Sequence, residues 1–65
     1  MQIEVNGETR DVQAQRLDEA LVELGFTEAA IATAVNGDFI PASARAGRQL
    51  QAGDRLEVLA PMQGG

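Results

Sequence analysis

Sixty-five residues give one domain with a single small core, and a net charge of −5 leaves no basic face for the phosphates of a nucleic acid. The chain has no cysteine, histidine, lysine, tyrosine or tryptophan, and Ser43 is its one serine, so it lacks the nucleophile-and-base pair of an enzyme and the soft donors of a metal site. No apolar run approaches the roughly 20 residues that span a bilayer, and the opening MQIEVNGETR is no secretory leader, so the expected address is the cytoplasm.

Met1, Ile3 and Val5 alternate with polar residues and end at Asn6-Gly7. Asn-Gly between extended runs is a strong hairpin signal, because a type I′ turn needs φ > 0 at both central positions. A two-residue loop sets Val5 against Glu8, Ile3 against Arg10 and Met1 against Val12. The returning strand is the less apolar of the two on its inner face, which suits a sheet edge. Leu17, Ala20, Leu21 and Leu24 then fall at i, i+3, i+4 and i+7, one stripe of a short helix. Asp18 and Glu19 lie near its start, where the helix dipole favours negative charge. Gly25 fits the left-handed cap, with Phe26 folding back on Leu21.

Residues 27–30 read as either loop or helical turn. Ile31, Thr33 and Val35 alternate as a strand over 31–35, closed by a second turn at Asn36-Gly37. A short extended piece, DFIP, stops at Pro41. The stretch ASARAGRQLQAGD reads as irregular, with a turn at Gly53-Asp54. In the last strand, RLEVLA, Leu56, Val58 and Ala60 share one face while Glu57 and Leu59 share the other. Pro61 ends it, since proline offers no ladder donor.

These stripes are buried most simply by one helix packed on one face of a small mixed sheet, an α+β arrangement. The first and last strands are the most apolar and should be central neighbours. A body over 1–60 then carries a tail over 61–65. Arg10, Arg45, Arg48 and Arg55 read as solvated charge, and Asp38, Asp54 and Glu57 as turn or surface groups. Gly7, Gly25, Gly37, Gly47 and Gly53 each suit a turn or cap, whereas Gly64 and Gly65 do not.

Four blocks carry a resemblance: EVNG at 4–7, AVNGDFIP at 34–41, GDRLEVL at 53–59 and QGG at 63–65. In this order and spacing they resemble the ThiS family of bacterial sulfur carriers, over the whole chain. The VNG…IP block points to ThiS over the molybdopterin-synthase small subunit MoaD, which shares the fold and the Gly-Gly end. The chain departs from the family after Pro41, where ASARAG replaces the usual basic and aromatic residues.

The resemblance implies a ubiquitin-like β-grasp fold and a protein that is a substrate, not a catalyst. A ThiF-type enzyme would use ATP and magnesium to adenylate the Gly65 carboxylate. Sulfur from a cysteine desulfurase would displace AMP and leave a thiocarboxylate, which thiazole synthase would accept for the thiazole ring of thiamin. Met62, Gln63 and Gly64 would thread the partner's passage, and Leu59 and Pro61 would touch the partner. An extended five-residue tail reaches roughly 16–18 Å, enough to enter a neighbouring active site. The alternatives are a thiocarboxylate donor for another pathway, of the MoaD kind, and a β-grasp binding module without carrier chemistry.

Overall fold

Both Val-Asn-Gly segments form the expected turns, with φ of 49 at Asn6, 86 at Gly7, 51 at Asn36 and 85 at Gly37. A computed structural model of the chain describes residues 1–28 and 30–60. The first turn joins β1 (Gln2–Val5) to β2 (Glu8–Asp11), and the second joins β3 (Ala32–Val35) to β4 (Asp38–Ile40). Helix α1 (Leu17–Glu23) lies between the hairpins, and β5 (Arg55–Leu59) is the last described element. The predicted pairing is met, with Val5 opposite Glu8 and Ile3 opposite Arg10. Met1 and Val12 add one more backbone bond, Val12 N–H to Met1 O at 2.9 Å.

The five strands form one sheet in the order β2-β1-β5-β3-β4. Strands β1 and β5 are parallel and every other pair is antiparallel. Thus β5 is central and β2 is an edge, as the apolar pattern predicts. On the helix side Val5, Leu56 and Val35 stand in one row across the three middle strands, at 3%, 1% and 0% exposure. They meet Leu17, Ala20 and Leu21 of α1 in the core, while Leu24 is half-buried beside it.

Seven residues are too few for a helix stable by itself in water, so burial of that stripe is what holds α1. At its start Arg16 donates to Asp18 at 3.0 and 3.2 Å. That hydrogen bond holds the Asp18 carboxyl below its ordinary range, with the Arg16 charge adding to the effect. The pair is exposed and screened, so its weight in stability is small.

The other end is a Schellman cap: Phe26 N donates to Leu21 O at 2.8 Å and Gly25 N to Val22 O at 3.1 Å. Gly25 sits at φ +89, where an added side chain would meet open space but would strain the left-handed backbone that glycine adopts freely. Gly25→Ala is therefore expected to cost about 1–2 kcal/mol. A thermal melt should show this as a fall of roughly 4–8 °C per kcal/mol for a domain of this size.

Three sequence expectations are corrected. Residues 42–47 are a 3-10 helix (Ala42–Gly47) rather than irregular chain. Pro41 at φ −66 leads into it, and its carbonyl accepts from Ala44 N at 2.9 Å. None of its residues is buried, so no apolar stripe marked it in the sequence.

Arg45 is no solvated charge. Its Nη2 donates to Ile31 O at 2.7 Å and its Nε to Thr33 Oγ1 at 3.1 Å. The buried Thr33 hydroxyl in turn donates to Ile40 O at 2.8 Å. This chain of bonds pins the 3-10 helix to β3.

Ala60, expected on the inner face of the last strand, lies beyond β5 and is exposed. Further along, Leu50 enters the core on a strap, with Leu50 N donating to Gln15 O at 2.8 Å and Leu17 N to Arg48 O at 2.9 Å. Residues 27 and 28 are not helical, and residue 29 lies outside the described residues.

Candidate functional site: the open face of the sheet and the end of β5

Strand alternation sends Leu56 and Val58 into the core and turns Arg55, Glu57 and Leu59 to the face opposite α1. Leu59 is the last residue of β5 and is 72% exposed on that face, the side expected of it. Its register partner on β3 is Ala32, and two residues along β3 Ala34 pairs with both Glu57 and Phe39. Phe39 of β4 is 67% exposed.

Two large apolar side chains therefore flank a floor of two alanines across β4, β3 and β5. Full burial of a Leu or Phe contributes about 1.5–3 kcal/mol, so the folded chain gains little from leaving both in water. Exposed apolar side chains grouped on one face are the kind of surface that a partner can cover.

The surroundings of this patch are mainly acidic. Glu57 lies between Leu59 and Arg55 on β5, and Glu4 of β1 is the register partner of Arg55. With ten acidic against five basic side chains overall, the face suits a partner that brings positive charge. Phe39 was not singled out from the sequence, although the signal was there. A two-residue loop at Asn36-Gly37 pairs Val35 with Asp38 and hence Ala34 with Phe39, by the arithmetic already applied to the first hairpin.

An asparagine grips β5 near each end, one from each flank. Val58 N donates to Asn6 Oδ1 at 2.8 Å, and Asn6 Nδ2 donates to Val58 O at 3.2 Å. At the start of the strand Asn36 accepts from Arg55 N at 2.9 Å and donates through Nδ2 to Asp54 Oδ1 at 3.0 Å. Asp54 also accepts from Gln51 N at 2.8 Å, closing the turn before β5. These carboxamides and the carboxylate are spent on the backbone and on each other.

Pro61, Met62, Gln63, Gly64 and Gly65, the other residues expected at the site, lie outside the described residues. Among the described residues, no group of three or more His, Cys, Asp or Glu side chains is placed to hold a metal ion. Nor is any described helix long and apolar enough to cross a membrane.

Comparison with known proteins bears on this arrangement. The crystal structure of the thiamine biosynthesis protein ThiS from Geobacter metallireducens is similar with a TM-score of 0.84 at 28% sequence identity, over 100% of both chains. A solution structure of a thiamine biosynthesis protein from the same organism gives 0.81 at 28% identity, covering 100% of this chain and 88% of that one. No curated protein sequence matches. The fold is the ubiquitin-like β-grasp of those structures. The family model of the ThiS family matches residues 2–65, so the chain belongs to the ThiS family.

Proposed function

We propose that this protein is a sulfur carrier for the thiazole ring of thiamin, loaded at the carboxylate of Gly65. The observation that carries the reading is the placement of β5. It is the central strand, its exposed face ends in Leu59 on the same side of the sheet as Phe39, and the chain beyond it leads to Gly64 and Gly65. A partner seated on that face has the last residues within reach, since five extended residues span roughly 16–18 Å.

A carboxylate resists nucleophiles and needs activation. The Gly65 carboxylate attacks the α-phosphorus of ATP on a ThiF-type enzyme, releasing pyrophosphate and forming an acyl-adenylate. The terminal sulfur of a persulfide then attacks the acyl carbon and expels AMP. A thiol cleaves the resulting acyl disulfide, leaving the thiocarboxylate on the carrier and a disulfide as the oxidised product. Thiazole synthase takes the sulfur. The ATP and magnesium belong to the activating enzyme, and the carrier contributes the tail and the docking face. Leu59, Pro61 and Phe39 meet the partner, while Met62, Gln63 and Gly64 occupy the passage, where the absence of a side chain at 64 and 65 keeps the segment narrow.

The test is the intact mass of the chain after incubation with ATP, magnesium, a ThiF-type enzyme, a cysteine-fed desulfurase and a thiol. Replacement of one oxygen by sulfur is expected, and it should vanish when Gly65 is deleted. An unchanged mass, with the same enzymes active on another carrier, would remove the carrier reading in favour of a binding module. Sulfur loading without transfer to thiazole synthase would keep the chemistry and move it to a different acceptor.

A further inference from the structure

Strand β1 ends where the chain must turn, but its parallel partner β5 runs on. Asn6 takes a left-handed backbone at φ 49, and the chain folds back through Gly7 into β2. The Asn6 N–H still donates to Leu56 O at 3.0 Å. A continuing parallel strand would next offer a carbonyl to Val58 N–H and, from a later residue, an N–H to Val58 O. The Asn6 carboxamide offers both, at 2.8 and 3.2 Å. One side chain stands in for the strand that has turned away, and it carries the ladder to Val58, next to Leu59 at the strand's end.

The second Val-Asn-Gly turn supplies a natural comparison. Asn36 adopts φ 51 and grips the same strand, its N–H donating to Arg55 O at 2.8 Å and its Oδ1 accepting from Arg55 N at 2.9 Å. Two turns of like shape thus hold β5 at opposite ends, and Asn6 acts on the end that leads to the tail.

The geometry points to Asn6 as a positioning residue for the carrier reaction: its carboxamide secures the β1 side of β5 at Val58, while pairing with Ala32 secures Leu59 on the β3 side, and the two together set the end of the strand that leads to the tail. This rests on the carrier reading above. Without the latch, the Val58 polar groups turn to water and the end of β5 is held from the β3 side alone, with more conformational freedom. That freedom must be lost again when the tail enters the activating enzyme. A looser strand end also spreads the carboxylate over more positions, fewer of them reactive.

Asn6→Gly tests this because glycine keeps the positive φ and removes only the carboxamide. Asn36→Gly makes the same change at the far end of β5. The readouts are kcat/KM for pyrophosphate release with ATP, magnesium and a ThiF-type enzyme, and backbone amide exchange by NMR. Asn6→Gly is expected to lower kcat/KM about tenfold and speed exchange at Val58, with Asn36→Gly within about twofold of the parent and faster exchange at Arg55. Asn6→Asp keeps the acceptor for Val58 N–H but not the donor, and should fall between.

Parent-like kcat/KM in Asn6→Gly, or an equal fall in both glycine variants, would overturn the latch while leaving the carrier reading standing. No pyrophosphate from the parent chain would overturn the carrier reading, and this use of Asn6 with it.

Discussion

Replacing Leu59 and Phe39 together by threonine is expected to lower kcat/KM for adenylation of the carrier about a hundredfold, with each single change giving about tenfold. Both side chains are largely exposed, at 72% and 67%, so the folded chain loses little of its own burial when they are shortened. Threonine suits a strand, which keeps the backbone preference in place. What is lost is the area each side chain would bury against a partner, about 1.5–3 kcal/mol apiece, and 1.4 kcal/mol is tenfold.

The two residues are not register partners, since Leu59 faces Ala32 and Phe39 faces Ala34, so their effects should nearly add. Val22→Thr is the control. Val22 is 67% exposed as well, but it sits on α1, on the other side of the sheet, and its change should leave kcat/KM alone. Steady-state pyrophosphate release with a ThiF-type enzyme measures all four variants, and unfolding midpoints within a few degrees of the parent show that the fold is intact. A double variant that matches the parent would mean that the activating enzyme docks on another face.

What the sequence made legible was local and steric. The two Asn-Gly turns need positive φ at both central residues, and that requirement located both turns and set the register of the first hairpin. Alternation in residues 55–59 placed Leu56 and Val58 inside and Leu59 outside, and the apolar ends of the chain put β5 beside β1.

What was not legible depends on contacts between distant residues. The 3-10 helix at Ala42–Gly47 buries nothing and so leaves no stripe, and its anchor, Arg45, bonds to Ile31 and Thr33 on another element. Leu50 joins the core only because its strap pairs with residues 15–17. The Asn6 carboxamide meets Val58 across 52 residues of sequence, and nothing in the turn's own chemistry announces that bond. Of the candidate site, the side of Leu59 was readable from parity. Phe39 was equally readable, had the second hairpin been counted as the first was.

The largest effect on stability should come from Leu56→Ala. Leu56 is 1% exposed on the middle strand, with Val5 and Val35 as its register partners on either side. Removing its side chain deletes apolar burial and leaves a void that the flanking strands cannot close, because both are fixed to β5 by their own ladders. Such changes cost about 2–5 kcal/mol.

A 65-residue domain has a total stability of only about 3–10 kcal/mol, so the variant should stand near the edge of folding. In urea, with a slope near 1 kcal/mol per molar for a protein this small, the midpoint should fall by about 3 M at unchanged slope. Adenylation should then drop in proportion to the unfolded fraction, unlike the Leu59 and Phe39 variants, which lose activity while folded. A midpoint that moves by less than about 1 M would mean that the apolar row is not what seats β5. The strand would then owe its place to its hydrogen bonds and to the two asparagine latches, and Asn6→Gly would become the more destabilising change of the two.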